Sequence, residues 1–279
     1  MIMSDRSILG MLELAKRLAK EAAGFSLPHA GRAIAQPKSD RTVVTAIDHE
    51  IQERIVGAIA AAHPDHAVVA EESLRHPEVH VDRRSARYCW VIDPLDGTRN
   101  LVAGFPCFAT SIAVLERGWP IAGVIYEHNL GHCYVAVRGS GATLNEKPLA
   151  IAEPPLDEDL LIGVASTKDR LSVDVVRHWV AAPGLICRNI GAAAVHLAMV
   201  ASGALAAAFC KPCKIWDVAA GGLLVLEAGG VITTPFGDPR LPFDLTADPY
   251  ADIPFLAGAR NVHAHLLARI KSLPAASER

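Results

Sequence analysis

Six acidic side chains of this sequence stand where apolar segments begin or end. They are Asp48, Glu71, Glu72, Asp93, Asp96 and Asp217. Carboxylates that lie close together repel one another and raise one another's pKa, so several of them at one place require cations. Oxygen ligands without an attendant His or Cys cluster favour Mg²⁺, with Mn²⁺ as a possible substitute. The pattern therefore predicts a magnesium site.

Each acid also has an ordinary structural explanation. Asp48 could cap a helix, and Asp217 could be a first-turn helix acid. Glu71 could belong to a solvated strand end. Asp93 and Asp96 flank Pro94 and could hold a proline turn through their side chains. Taken singly, these explanations are as good as a metal site, and only the convergence of the acids separates the two.

The residues after Asp96 supply the features of an anion site. Gly97 lets a ligand approach the backbone closely, and Thr98 would open a helix. The N–H groups at a helix N-terminus bind anions. Two cations about 4 Å apart can activate a water and stabilise a leaving oxygen. Cations beside a helix N-terminus indicate a phosphate ester as substrate.

The first half of the sequence contains two helical patterns followed by strands. Apolar residues recur at helical spacing over 6–23 and again over 46–63, and Thr45 with Asp48 has the spacing of a capping box. Segments 66–73 and 87–94 are typical of strands. Three further strand patterns over 107–138 predict an antiparallel meander. The Gly-rich segment 138–149 has no G-K-[ST], which favours a hairpin over a phosphate loop.

The second half alternates between strand and helix. Strand patterns at 160–166, 185–190 and 254–259 alternate with helical patterns at 191–203, 216–229 and 260–272. The acidic, Pro-containing segment 153–159 is the best lobe boundary. We therefore expect an α+β lobe over 1–153 and an α/β lobe over 154–279, which together form one compact unit.

Composition excludes several classes of function. The chain has 279 residues, of which 51% are hydrophobic, and a formal net charge of −3. This charge gives no reason to expect a nucleic acid or an anionic membrane as partner. The first residues carry charges throughout, unlike a signal peptide, so a cytoplasmic location is expected. The six cysteines are scattered, and the single C-x-x-C at Cys210 and Cys213 is weak evidence for zinc or redox chemistry.

Two motifs resemble those of a known family. "DPLDGTRN" at 93–100 and "WDVAAGGLLVLEAGG" at 216–230 are similar to the two signatures of the inositol monophosphatase family, and "AEES" at 70–73 and "TAID" at 45–48 also match. The resemblance runs from about residue 5 to 270. It implies an α/β (α+β) fold, the layered αβαβα sandwich of the inositol monophosphatase and fructose-1,6-bisphosphatase type. It also implies a homodimer and a Mg²⁺-dependent phosphatase, in a family whose members are described as lithium-sensitive.

The resemblance also implies a set of cation ligands. Glu71, Asp93 and the carbonyl of Leu95 would hold a first Mg²⁺. Asp93, Asp96 and Asp217 would hold a second. A weaker third cation would rest on Glu71 and waters.

Catalytic and phosphate-binding roles follow from the same resemblance. Asp48, Thr98 and Glu71 are the implied catalytic residues, and Thr98, hydrogen-bonded to Asp48, would orient the nucleophilic water. Gly97 and Thr98 would give backbone N–H groups to the phosphate. The water would attack phosphorus in line, without a phosphoenzyme.

The substrate pocket is specified less well. The resemblance places it at Asn189, Gly191, Ala192, Ala193 and Cys210. In animal members, an acid that contacts a sugar hydroxyl stands at the position of Cys210.

Two lysines near these positions remain open to two interpretations. Lys211 and Lys214 beside Cys210 could favour a more anionic substrate or could be ordinary solvated charges. Lys38 lies where the family often has a lysine in a loop near the cations.

The predicted reaction is hydrolysis of myo-inositol 1-phosphate or a related polyol or sugar phosphate, a small-molecule monoester. One alternative is another branch of the superfamily, acting on adenosine 3′,5′-bisphosphate, histidinol phosphate or fructose 1,6-bisphosphate. A further alternative is a non-catalytic relative that binds a phosphorylated ligand. Turnover of a phosphate ester with and without Mg²⁺ separates the enzyme from the binder.

Overall fold

A computed structural model describes residues 5–37, 43–72, 81–165 and 169–273, so Lys38 lies outside the described residues. The described residues form seven α-helices and a short 3₁₀ helix at Leu27–His29. The α-helices are α1 Asp5–Ser26, α2 Ala46–Ala62, α3 Thr98–Ala103, α4 Arg170–Val180, α5 Ala193–Ala201, α6 Ile215–Glu227 and α7 Arg260–Lys271.

The strands belong to three sheets. A two-stranded sheet pairs β1 Gln36–Pro37 with β2 Val43–Val44. The large sheet contains, in spatial order, β3 Ala67–Ala70, β4 Tyr88–Asp96, β5 Ala109–Glu116, β6 Trp119–Glu127, β7 His132–Val137, β8 Gly141–Leu144 and β9 Lys147–Leu149. The smaller sheet contains β10 Leu160–Val164, β11 Leu185–Arg188, β12 Ala207–Cys210, β13 Val231–Thr233 and β14 Phe255–Gly258, in the order β11-β10-β12-β14-β13.

Helices α1 and α2 form the outer layer on the large sheet. Leu12, Leu18 and Ile55 pack with Trp90 and Ile112 of that sheet in one buried cluster. These helix residues belong to the apolar faces that the spacing predicts, so both helices are confirmed. Burying one apolar stripe against a sheet is what stabilises an amphipathic helix.

The large sheet is antiparallel from β4 to β9, and only β3 runs parallel to its neighbour β4. The predicted meander is confirmed as β5, β6 and β7. The predicted hairpin is confirmed as β8 and β9, joined by Asn145 and Glu146 in left-handed backbone conformation.

Helices α5 and α6 form the middle layer between the two sheets. A single buried cluster joins Val91 of the large sheet, Leu197 and Leu224 of the helices, and Ala208 and Phe255 of the small sheet. Because this cluster takes residues from both halves of the sequence, the two halves share one core. The lobe boundary at 153 and 154 stays a prediction.

Helices α4 and α7 cover the far face of the small sheet. Val175 and Trp179 of α4 and Leu266 of α7 pack with Ile162 and Phe209. The five layers are therefore α1/α2, large sheet, α5/α6, small sheet and α4/α7. This confirms the αβαβα sandwich. Within the small sheet, β10 pairs in parallel with β11 and β12, whereas β14 is antiparallel to β12. No helix within the described ranges is long and apolar enough to cross a membrane.

Candidate active site

Asp93 and Asp96 both lie within β4, which continues two residues beyond the predicted strand segment 87–94. Asp93 is opposite Ser111 and Asp96 is opposite Ala109, so the register of the β4–β5 pair shifts between the two acids. Side chains three apart on a regular strand point to opposite faces. The irregularity removes that restriction, and carboxylate oxygens of Asp93, Asp96 and Asp217 all lie within 4.8 Å of one another.

Glu71 follows β3 and is held beside Asp93 by the parallel pairing of β3 with β4. Ala70 is opposite Ile92, and the N–H of Glu71 donates to the carbonyl of Ile92 at 3.2 Å. The next N–H, of Glu72, donates to Oε1 of Gln52 in α2 at 2.8 Å. The backbone at Glu71 is therefore fixed by a strand on one side and a helix on the other.

Asp217 occupies the first turn of α6 and caps it. The N–H of Lys214 donates to Oδ2 of Asp217 at 2.6 Å. Small residues let α6 approach its neighbours closely: a Cβ at Gly221 would lie 2.5 Å from Cβ of Leu197 in α5. Close packing of α6 is one physical reason for the small residues of the second motif. It carries Asp217 up to the acids of β4.

Burial and like charge make this cluster unfavourable without a cation. Burial raises the pKa of Asp93 well above its usual range, and the charges of Glu71, Asp96 and Asp217 raise it further. Burial likewise raises the pKa of Asp217, with added repulsion from Asp96 and Glu71. The pKa of Asp96 is raised by burial to about 7, although backbone N–H groups oppose the shift. A positive charge at this place would stabilise the ionised form of all three carboxylates and lower their pKa values.

Asp96 has a second role that the sequence does not reveal. Its carboxylate accepts hydrogen bonds from the N–H groups of Ala193, Ala194 and Val195 at 3.0, 2.8 and 3.2 Å. The residue at the N-cap of α5 is Ala192, which has no side-chain acceptor. Asp96 therefore caps a helix that begins 97 residues later in the chain. The only signal in the sequence is the absence of a local cap before α5.

Asp48 and Thr98 are joined by a hydrogen bond on the other side of the cluster. Oδ2 of Asp48 accepts from the N–H and the hydroxyl of Thr45, which confirms the predicted capping box. Oδ1 of Asp48 accepts from the hydroxyl of Thr98 at 2.7 Å. The single hydroxyl proton of Thr98 thus has a carboxylate acceptor, and its oxygen keeps lone pairs for another donor.

Gly97 stands at the N-cap of α3 with φ 93°, a conformation that favours glycine. A Cβ here would lie 2.9 Å from the carbonyl oxygen of Cys107. A cleft of about 170 Å³ opens in front of these groups. Its lining residues are Glu71, Asp93, Leu95, Asp96, Gly97, Thr98, Arg99, Gly191 and Asp217. The structure thus brings the predicted cation and phosphate ligands together at one cleft.

The predicted substrate-binding residues are less concentrated. Gly191 lines the cleft, and its N–H donates to Oδ1 of Asn189 at 3.0 Å. Ala192 is buried, and Ala193 contributes the N–H bonded to Asp96. Of the five, only Gly191 is among the described residues that line the cleft, so the substrate-binding roles stay predictions.

Cys210 is buried in the core, at 3% exposure. Its flanking lysines are already paired. Lys211 Nζ lies 3.0 Å from Asp169 Oδ1, and Lys214 Nζ lies 2.7 Å from Asp252 Oδ1. These ion pairs favour a structural role for the two lysines over recognition of a more anionic substrate. All six cysteines are free thiols.

Comparison with known sequences gives consistent matches. A model described as the inositol monophosphatase family matches residues 10–273. A Nus factor SuhB of Pasteurella multocida is 36% identical over 205 residues, which cover 70% of this chain and 73% of the relative. Inositol monophosphatase 1 of Bos taurus is 31% identical over 213 residues, covering 74% and 75%. A fructose-1,6-bisphosphatase/inositol-1-monophosphatase of Aquifex aeolicus is 31% identical over 237 residues, covering 83% of each.

Comparison with solved structures agrees with the sequence matches. An IMPase of Thermotoga maritima superposes with a TM-score of 0.82 at 27% identity, covering 95% of this chain and 98% of that one.

Proposed function

The chain belongs to the inositol monophosphatase family and is a phosphatase, and we propose that it hydrolyses myo-inositol 1-phosphate or a related polyol or sugar phosphate with Mg²⁺. One observation carries the proposal: the carboxylates of buried Asp93 and Asp96 and of half-buried Asp217 converge within 4.8 Å beside the Asp48–Thr98 pair.

The donor set fits a hard divalent cation. The cleft offers carboxylate and carbonyl oxygens, which are the ligands that Mg²⁺ prefers. We propose that Glu71, Asp93 and the carbonyl of Leu95 hold one Mg²⁺, and that Asp93, Asp96 and Asp217 hold a second. A third would be held weakly, by Glu71 with waters. When bound, such cations supply the positive charge that activates a water and neutralises a leaving oxygen.

Thr98 and Asp48 orient the attacking water in this proposal. Asp48 is fixed by Thr45 and holds the hydroxyl proton of Thr98. The oxygen of Thr98 then presents a lone pair that accepts a hydrogen bond from the water. This aligns the water for in-line attack, because a fixed acceptor leaves it one productive orientation.

The phosphate is held at the start of α3. Gly97 and Thr98 line the cleft at this point, and their backbone N–H groups are the proposed donors. Preorganised N–H groups stabilise charge on phosphate oxygens in the transition state. Asn189, Gly191, Ala192, Ala193 and Cys210 are the proposed surroundings of the alcohol part of the substrate.

The increase in melting temperature that Mg²⁺ causes should grow as the pH is raised from about 5.5 to about 8. Folding raises the pKa of Asp96 to about 7 and the pKa values of Asp93 and Asp217 as well, mainly through burial. A raised folded-state pKa contributes stability at low pH that is lost as the pH rises through it. The cation-free protein therefore loses this stability on going to about pH 8, while the cation binds the ionised carboxylates better.

Thermal melting in buffer free of divalent cations, before and after Mg²⁺ is added, measures the change in melting temperature at each pH. Titratable groups remote from the cluster affect both melting temperatures equally, so their contribution cancels in this change. A Mg²⁺-induced shift that shrinks as the pH rises would contradict the assignment.

Phosphate release from a panel of esters tests the proposed substrate class. The panel contains myo-inositol 1-phosphate, other polyol and sugar monophosphates, fructose 1,6-bisphosphate, adenosine 3′,5′-bisphosphate and histidinol phosphate. We expect inositol 1-phosphate to be favoured over other sugar monophosphates by no more than roughly tenfold in kcat/KM, about 1.4 kcal/mol. Weak discrimination follows because Cys210 replaces an acid that could pair with a substrate hydroxyl. A thousandfold preference for one ester would contradict this expectation.

The Aquifex relative, whose name includes fructose-1,6-bisphosphatase, makes the bisphosphate a specific second candidate. A rate on fructose 1,6-bisphosphate well above that on every monophosphate would favour it. Absence of turnover on all esters with Mg²⁺ would favour a ligand-binding relative instead. The homodimer is part of the proposal by family resemblance, and a cytoplasmic location is proposed with it.

A further inference from the structure

The peptide unit between Pro94 and Leu95 is held from both sides. The carbonyl of Pro94 accepts a hydrogen bond from the hydroxyl of Thr110 at 2.8 Å. The N–H of Leu95 donates to Oδ1 of Asp93 at 2.9 Å. Both groups belong to one planar peptide, so the direction of the carbonyl fixes the direction of the N–H. Thr110 therefore sets where the donor to Asp93 points.

Two further residues stand behind Thr110. Nε2 of His128 lies 2.9 Å from the Thr110 hydroxyl oxygen, and Nδ1 of His128 lies 2.6 Å from the hydroxyl oxygen of Ser26. Donation from Thr110 to the Pro94 carbonyl sets the direction of the other hydrogen bonds. The Pro94 carbonyl oxygen can only accept a hydrogen bond, so the hydroxyl of Thr110 donates its single proton to that oxygen. His128 must then donate from Nε2, and its Nδ1 accepts from Ser26.

The chain of groups is shielded from water. Ser26 and Thr110 are fully buried and His128 is 2% exposed. Burial lowers the pKa of His128 to about 3, which keeps the ring neutral near neutral pH. The backbone N–H of His128 donates to the carbonyl of Phe108 at 3.1 Å. The ring is thus anchored at the end of β6, between the last residue of α1 and β5.

Asp93 is the carboxylate that both proposed cations share, so the direction of its oxygens matters for binding. One of its oxygens lies within 4.8 Å of carboxylate oxygens of Asp96 and Asp217, and rotation of the side chain would break up that arrangement. A directed N–H opposes that rotation. Groups behind a metal ligand that hold its orientation raise metal affinity.

We propose that Thr110, supported by His128 and Ser26, is a positioning residue that holds the Asp93 carboxylate ready for a divalent cation. The proposal rests on the proposed function, since it requires a cation at Asp93. Thr110, His128 and Ser26 are not among the residues that line the cleft, and they act through the Pro94–Leu95 peptide.

Calorimetric titration of Mn²⁺ into the cation-free full chain tests the proposal. Thr110→Val keeps the shape of the side chain and removes the hydroxyl. It should bind Mn²⁺ on the order of tenfold or more weakly than the wild type. Thr110→Ser keeps the hydroxyl and is the matched control, which should bind close to the wild-type level. Ser26→Ala removes the hydroxyl that hydrogen-bonds to His128. It should weaken Mn²⁺ binding roughly twofold to fivefold.

Thermal melting without cation separates positioning from general stability. Equal Mn²⁺ affinity in Thr110→Val and the wild type, with only a lowered melting temperature, would overturn the inference while the proposed function stands. If Thr110→Val does not fold, unchanged affinity in Ser26→Ala would overturn it. A wild type that binds no Mn²⁺ would overturn the proposed function, and the inference with it.

Discussion

Asp93→Asn is expected to lower phosphate release by at least about 10²-fold to 10³-fold while the chain still folds. Asp93 is the carboxylate shared by both proposed cations, and an amide cannot supply its negative charge. The same change removes one of several buried like charges. Because those charges raise the pKa of Asp93 and its neighbours, the cation-free variant should melt no lower than the cation-free wild type.

Phosphate release and thermal melting, measured on the same preparation, test the expected loss of activity and the expected melting temperature. The matched control is Asp157→Asn, the same change at an exposed position before the small sheet. It should leave both readings unchanged. Near-normal turnover in Asp93→Asn would contradict the shared-ligand role.

Thr98→Ala should lower kcat on the order of 10²-fold, with a much smaller change in KM. The variant keeps the backbone N–H proposed to bind phosphate, so substrate binding should survive. It loses the oxygen that accepts from the attacking water and the hydrogen bond to Asp48. An effect confined to the transition state appears in kcat and not in KM.

Initial-rate kinetics across a range of substrate concentrations separates the two constants. Thr98→Ser retains the hydroxyl and is the control that should recover most of kcat. An unchanged kcat with a raised KM would mean that Thr98 serves substrate binding alone.

Local patterns in the sequence were sufficient for much of the fold. The apolar faces of α1 and α2 and the Thr45–Asp48 capping box depend on residues within a few turns of one another. Strand order in the meander from β5 to β7 follows from short connections. The αβαβα layering came from family resemblance, since the stacking of distant elements leaves no local pattern.

Features of the site also fall into those that the sequence predicts and those that it does not. The convergence of Asp93, Asp96 and Asp217 follows from acids that begin or end apolar elements. The continuation of β4 through Asp96 does not, because Pro94 is unusual inside a strand and the register shift depends on pairing with β5. Long-range hydrogen bonds were also beyond the sequence. The capping of α5 by Asp96 and the support of Pro94 by Thr110 join residues far apart in the chain.

Anomalous diffraction from crystals soaked in Mn²⁺ would locate the cations without relying on turnover. Two peaks about 4 Å apart are expected in the cleft. Both should contact Asp93, one of them also Glu71 and the Leu95 carbonyl, and the other also Asp96 and Asp217. Manganese bound elsewhere, with these carboxylates uncoordinated, would contradict the proposed two-cation site.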